Sequence, residues 1–342
     1  MTDSYSNLKL WSRRLCQHWR WVLGILLIGG FIAINALAWL HARAMSRFVR
    51  NGERTVAPER LGPLPKLRIL LTGVTLTRPE NHRTPSNVGM AFHTVHFAGA
   101  KGRQLEAWFI PGGPTTTNGI VLLFHGYGAS KESLLPAACE FHASGWSTLL
   151  VDFHGSGGSA GDTTSVGWHE AEDVAAAFAE AAKLAPGKAR VLYGCSMGAV
   201  ASLRAIDKLG VNPDAVVMEC PFDRMLNTVR NRFHAMRLPS WPLAELLVFW
   251  GGQEGGFDAF EHNPLDYARS VNCPVLQMHG EMDPRVSVEE AGRIYAALIG
   301  PKQFHTLPGV GHEAYVEANP EVWRSLVTQF LGKELHVARP RK

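Results

Sequence analysis

The sequence predicts an α/β protein, a mostly parallel central sheet with helices on both faces, preceded by one membrane-crossing helix. Three observations carry that expectation. From His93 onward, short apolar runs alternate with helix-like stretches. Several of those runs are apolar at every position, as strands covered on both faces are. Near the N-terminus, Trp21–Leu40 reads WVLGILLIGGFIAINALAWL without a single charge.

As a helix rising about 1.5 Å per residue, residues 21–40 would span about 30 Å, the hydrocarbon thickness of a bilayer. Trp19, Trp21 and Trp39 stand near its ends, where interfacial aromatics belong. The expectation is an uncleaved single-pass anchor after an N-terminal tail at 1–20. Ala36-Leu37-Ala38 resembles a signal cleavage site, but the apolar run and its polar lead are both long for a signal peptide. A terminal core helix apolar on every face would be unusual. Arg13, Arg14 and Arg20 precede the run and Arg43, Arg47 and Arg50 follow it. The two sides nearly balance, so the side on which the body lies stays open. Residues 41–90, rich in Pro, Arg, Asn and Thr, read as a connector with one strand-like stretch at Ile69–Val74.

Residues 91–335 read as one α/β domain. His93–Phe97 and Gln104–Ile110 flank Gly99-Ala100-Lys101-Gly102 as a hairpin. Strands follow at Ile120–Phe124, Thr148–Val151, Val191–Tyr193, Ala215–Met218, Pro274–Met278 and Phe304–Leu307. Helices are expected near 133–143, 169–183, 199–206, 288–298 and 321–331. Between Pro221 and Tyr267 the alternation lapses, and the stretch contains Trp241, Phe249 and Trp250.

The 342 residues are 46% hydrophobic and 19% charged, ordinary for a globular chain. A net charge of +4, dispersed along the chain, argues against nucleic acid as a partner. Cys16, Cys139, Cys195, Cys220 and Cys273 have no paired spacing, so neither a disulfide framework nor a zinc site is expected. His125, His154 and His169 lack metal-ligand spacing. No pattern asks for a cofactor, and the oligomeric state is left open.

The chemistry is concentrated in Gly194-Cys195-Ser196-Met197-Gly198. A serine between glycines, after a buried strand and before a helix, reads as a nucleophile elbow. The sharp turn presents the hydroxyl, and the helix N-terminus offers free N–H groups to an oxyanion. Gly157-Gly158-Ser159-Ala160-Gly161 fits the same pattern but lies in a loop with no helix starting at its serine. Ser196 is therefore the candidate nucleophile. A serine needs a base, and the base an orienting carboxylate. Asp283 follows the strand ending at Met278, and His312 follows the strand ending at Leu307. Glu281 or Glu219 could stand in for Asp283, and His305 for His312. The backbone N–H groups of Met197 and Tyr127 are the candidate oxyanion donors.

On these residues the chain resembles the α/β-hydrolase superfamily. The likeness is nearest to single-domain serine hydrolases of the serine aminopeptidase and monoacylglycerol lipase type, including membrane-anchored members. It covers about Phe92 to Leu331. The motifs are His125-Gly126-Tyr127-Gly128, Asp152-Phe153-His154-Gly155-Ser156-Gly157-Gly158-Ser159, the elbow, His279-Gly280-Glu281-Met282-Asp283, and Gly311-His312. The order Ser196, Asp283, His312 matches that architecture. His154 stands where the family usually has Arg. The resemblance implies an α/β-hydrolase fold with a small cap at 221–267. It also implies a membrane-anchored serine hydrolase acting on carboxylic esters or thioesters of a small, lipid-like acyl substrate. A peptidase or amidase would use the same residues, and a non-catalytic binding protein is the remaining alternative.

Overall fold

The computed structural model describes residues 3–55, 61–112 and 118–337. Residues 1 and 2 of the expected tail and 56–60 of the connector lie outside them, as do the side chains of Arg13, Arg14 and Cys16.

Eight strands form one sheet: β1 (His93–Ala98), β2 (Gln104–Ile110), β3 (Gly119–Phe124), β4 (Ser147–Asp152), β5 (Ala189–Cys195), β6 (Ala215–Glu219), β7 (Val275–Gly280) and β8 (Lys302–Leu307). Their order is β1-β2-β4-β3-β5-β6-β7-β8. β2 runs antiparallel to β1 and β4, and every later pairing is parallel. Parallel neighbours need crossovers, which the helices supply.

The apolar runs fill two cores because successive side chains of a strand point to opposite faces. Val121 and Leu123 of β3 join Trp323 and Phe330 of α11 (Pro320–Val337) and Phe141 of α3 (Leu135–Ala143). Ile120, Leu122 and Phe124 face the other way. They meet α4 (Glu170–Leu184), α5 (Met197–Leu209) and α9 (Val288–Ala297). Helices α6 (Met225–Ala235), α7 (Leu243–Gly255) and α8 (Pro264–Tyr267) stand between β6 and β7. A short α10 (Tyr315–Ala318) precedes α11.

Two N-terminal elements differ from expectation. The apolar segment is part of a longer helix, α1 (Asp3–Ser46). The section His18–Ser46 is long and apolar enough to cross a membrane and is almost wholly unburied. Ile69–Val74 is not a strand, because Pro63–Thr72 forms helix α2. A run as short as Ile69-Leu70-Leu71 does not reveal its period, and Pro63 at the first turn suits a helix. His41 of α1 bonds the Leu70 carbonyl at 2.9 Å.

The C-terminal half of α1 packs on α7. Trp39 Nε1–H donates to Glu254 at 2.8 Å, Trp250 Nε1–H to Asn35 at 3.3 Å, and Arg43 and Arg47 pair with Glu254. The end of α1 is pinned to the body as well. Tyr127 Oη–H donates to Met45 O at 2.5 Å, Thr164 N–H to Ser46 O at 2.9 Å, and Phe48 N–H to Asp162 O at 2.7 Å.

Candidate active site

β5 ends at Cys195 and α5 begins at Met197, leaving Ser196 alone in the turn. Its φ of 50° and ψ of −111° are strained for a residue with a side chain, as an elbow requires. Ser196 N–H donates to Glu219 O at 2.8 Å, which ties the turn to β6. The flanking glycines answer to space. A Cβ on Gly194 would lie 2.5 Å from Ala199 N, and one on Gly198 would lie 2.2 Å from Phe124 O. Any larger residue would push α5 off β3.

Asp283 lies past β7 and His312 past β8. His312 Nε2 is 3.1 Å from Ser196 Oγ, and His312 Nδ1 is 2.6 Å from Asp283 Oδ2. With Asp283 ionised, Nδ1 carries the proton and Nε2 is left to accept from the serine. Asp283 Oδ1 accepts the N–H groups of Arg285 (2.8 Å) and Val286 (3.1 Å). Burial pushes the Asp283 carboxyl up, but the bond and charge of His312 and these two N–H groups outweigh it. The carboxyl is held below its ordinary range.

The rival acids are engaged elsewhere. Glu281 accepts from Thr306 at 2.8 Å. Glu219 is fully buried and accepts from Tyr193 (2.7 Å) and Trp323 (2.6 Å). His305 lies within β8. The serine of the second glycine pattern is structural. Ser159 Oγ–H donates to Asp152 O at 2.6 Å and accepts Glu106 N–H at 2.9 Å, bridging β2 and β4.

Met197 is the first residue of α5, so its N–H has no partner within the helix. The turn carrying Tyr127 abuts the elbow, since a Cβ on Gly126 would lie 3.8 Å from Ser196 Cβ. His125 fixes that turn: its Nδ1 is 2.9 Å from Gly126 O, and its Nε2 accepts Phe153 N–H at 3.2 Å. Burial lowers its pKa, consistent with a neutral ring that can accept. His154 and His169 do not converge with it. His154 pairs with Asp173 at 2.7 Å, and His169 bonds Gly255 O at 2.9 Å.

Sequence reasoning missed the cation beneath this turn. Lys131 is fully buried, with Nζ 2.7 Å from Glu106 and in contact with Asp152. Lys131 N–H also donates to Asp152 at 2.7 Å. Burial pushes the Asp152 carboxyl up, but the lysine charge outweighs it and holds it low. The signal was faint: one lysine shortly after the glycine turn, with its partners distant in sequence.

Cys220 also borders the site. Ligating atoms of Cys220, Asp283 and His312 lie within 4.8 Å of one another. Burial, reinforced by the Asp283 charge, pushes the thiol well above its usual range, so it is a neutral neighbour.

Comparison with known proteins bears on the fold. Residues 115–265 match the family model described as serine aminopeptidase, S33. The uncharacterised protein YqkD of Bacillus subtilis is 29% identical over 221 residues, covering 64% of this chain and 72% of that one. The uncharacterised protein YfhR of Escherichia coli K12 is 22% identical over 252 residues, covering 71% and 81%. Among solved structures, the Pyrococcus furiosus esterase Pf2001 superposes with a TM-score of 0.63 at 23% identity, covering 75% of this chain and 98% of that one. Pyrococcus horikoshii acylaminoacyl peptidase does so at 0.56 and 17%, covering 72% and 42%. With the strand order and the strained serine between β5 and α5, these likenesses show that the chain has the α/β-hydrolase fold.

Proposed function

We propose that this chain is a membrane-anchored serine hydrolase that cleaves carboxylic esters or thioesters through an acyl-enzyme. The observation that carries the reading is the hydrogen-bonded series Asp283–His312–Ser196 at 2.6 and 3.1 Å. Ser196 Oγ attacks the acyl carbon while His312 Nε2 takes its proton. The displaced electron pair collects on the carbonyl oxygen, held by the N–H groups of Met197 and Tyr127. Collapse breaks the bond to the alcohol or thiol, which leaves with the proton from His312. Water then repeats the sequence and frees the acid. Asp283 holds the imidazole in its productive tautomer and offsets the charge it gains.

The apolar stretch of α1 supports the anchor, and the aromatic-rich helices between β6 and β7 support an acyl substrate. A peptidase or amidase is the second reading, favoured by the family model matched over residues 115–265. Labelling with a fluorophosphonate, then turnover of p-nitrophenyl esters against aminoacyl amides, separates these readings. Ser196→Ala is expected to abolish labelling and lower turnover by roughly 10³-fold or more, with His312→Ala losing comparably. Labelling that survives Ser196→Ala would sink the serine-hydrolase reading, and faster amide turnover would select the second one.

A further inference from the structure

A cavity of about 250 Å³ lies between α1, α2 and the helices between β6 and β7. Leu37 and Met45 of α1, Ile69 of α2, Phe233 of α6 and Leu247 of α7 give it apolar walls. Tyr127, whose N–H is the candidate oxyanion donor, also lines it. So does Arg285, whose backbone N–H holds Asp283. The space thus lies between two residues whose backbone N–H groups belong to the candidate site, Tyr127 and Arg285, and the helix long enough to cross a membrane.

The outer surface of the same helices is apolar too. Leu64, Leu67 and Leu71 of α2 are 79%, 53% and 66% exposed, while Ile69 and Leu70 of that helix line the cavity. A helix with apolar residues on both its inner and outer sides is out of place in water. Trp241, in the turn before α7, is 76% exposed, and Phe249 of α7 is 45% exposed. On α1 the exposed apolar run from Trp19 to Ile32 leads into the lining residues Ile34, Leu37 and Ala38. On α1 and α2, exposed apolar and cavity-lining residues therefore share one helix.

We propose that this cavity is an acyl-chain subsite walled by the anchor helix itself and filled sideways from the bilayer. The occupant is the long acyl chain of a membrane lipid, with its ester directed to the turn at Tyr127 and to Ser196. α2 and the exposed Trp241 and Phe249 lie at the lipid interface. The subsite rests on the serine-hydrolase reading above and adds to it where the acyl chain sits and how it arrives.

The test uses full-length protein in phosphatidylcholine vesicles and two fluorophosphonates, one with an ethyl and one with a hexadecyl tail. Each reacts by forming the Ser196 Oγ–P bond as fluoride leaves, so the two differ in the tail alone. Leu37→Trp and Ile69→Trp each fill the cavity from a different helix, so loss of folding in one leaves the other informative. The expected result is at least a tenfold fall in the hexadecyl-to-ethyl ratio of labelling rates for each folded variant. Wild-type protein should also react faster with hexadecyl probe dissolved in the bilayer than with the same probe delivered on albumin. An unchanged ratio, or equal loss of both rates, would overturn the subsite while leaving the nucleophile intact. Equal rates from bilayer and albumin would overturn filling from the membrane. Failure of both probes on wild-type protein would overturn the serine-hydrolase reading and the subsite with it.

Discussion

Glu170 illustrates how single buried charges are arranged around the site. Its carboxylate accepts from Thr164 Oγ1 (2.7 Å), Ser165 N (2.9 Å), Ser165 Oγ (2.6 Å) and Gly167 N (2.9 Å). Burial pushes its pKa up, but the charge of His154 and these donors outweigh that and hold it at about 2. The unfolded carboxyl titrates near its ordinary 4.5, so the native state gains stability above that pH and loses it as pH falls toward about 2. Glu170→Gln should therefore cost on the order of 3 kcal/mol at neutral pH. The deficit should shrink steadily between pH 4.5 and 2, measured by denaturant unfolding across that range. A constant deficit would mean the charge is not what stabilises the loop. His154 takes part in this cluster where the resembled family usually has Arg. Burial alone would lower its pKa, but the hydrogen bond to Asp173 and the charges of Glu170 and Asp173 raise it above the ordinary value.

At the scale of elements, the packing of β3, β5 and α5 leaves the glycines of the elbow motif no room for a side chain. Gly198→Ala would set a methyl 2.2 Å from Phe124 O, a backbone atom that cannot rotate away. The expected cost is about 3 kcal/mol, a fall in Tm of roughly 5–10 °C with loss of turnover. Thermal unfolding followed by circular dichroism checks it, and a wild-type Tm would refute the steric argument. Elements of this kind were legible in the sequence. The runs Ile120–Phe124 and Val191–Tyr193 are apolar throughout, and strands buried on both faces leave that mark. Ser196, Asp283 and His312 could be singled out because each follows a strand, and the structure brings the three within hydrogen-bond distance. α2 was misread because three apolar residues show no period, and its tie to α1, His41 to the Leu70 carbonyl, spans 29 residues of chain. Lys131 and His154 were opaque for another reason: their partners Glu106, Asp152 and Asp173 are 25, 21 and 19 residues away.

For the whole molecule, the informative contact is between α1 and α7. Asn35 meets Trp250 and Trp39 meets Glu254 across 215 residues of chain, a pairing no local pattern reveals. A helix with this much exposed apolar surface should keep the protein in the membrane pellet after an alkaline carbonate wash, with release only by detergent. Full extraction by carbonate would instead mean a peripheral protein. The end of α1 is held by Met45, Ser46 and Phe48 to the segments bearing Tyr127, Thr164 and Asp162. These bonds tie α1 directly to segments that carry or flank the candidate site. With α1 in a bilayer, Ser196 would sit at a constant depth along the membrane normal and could not swing to meet bonds at other heights. Such an enzyme would be regioselective by altitude: of two chemically equal esters in one lipid, the one lying at the level of the serine would be cut.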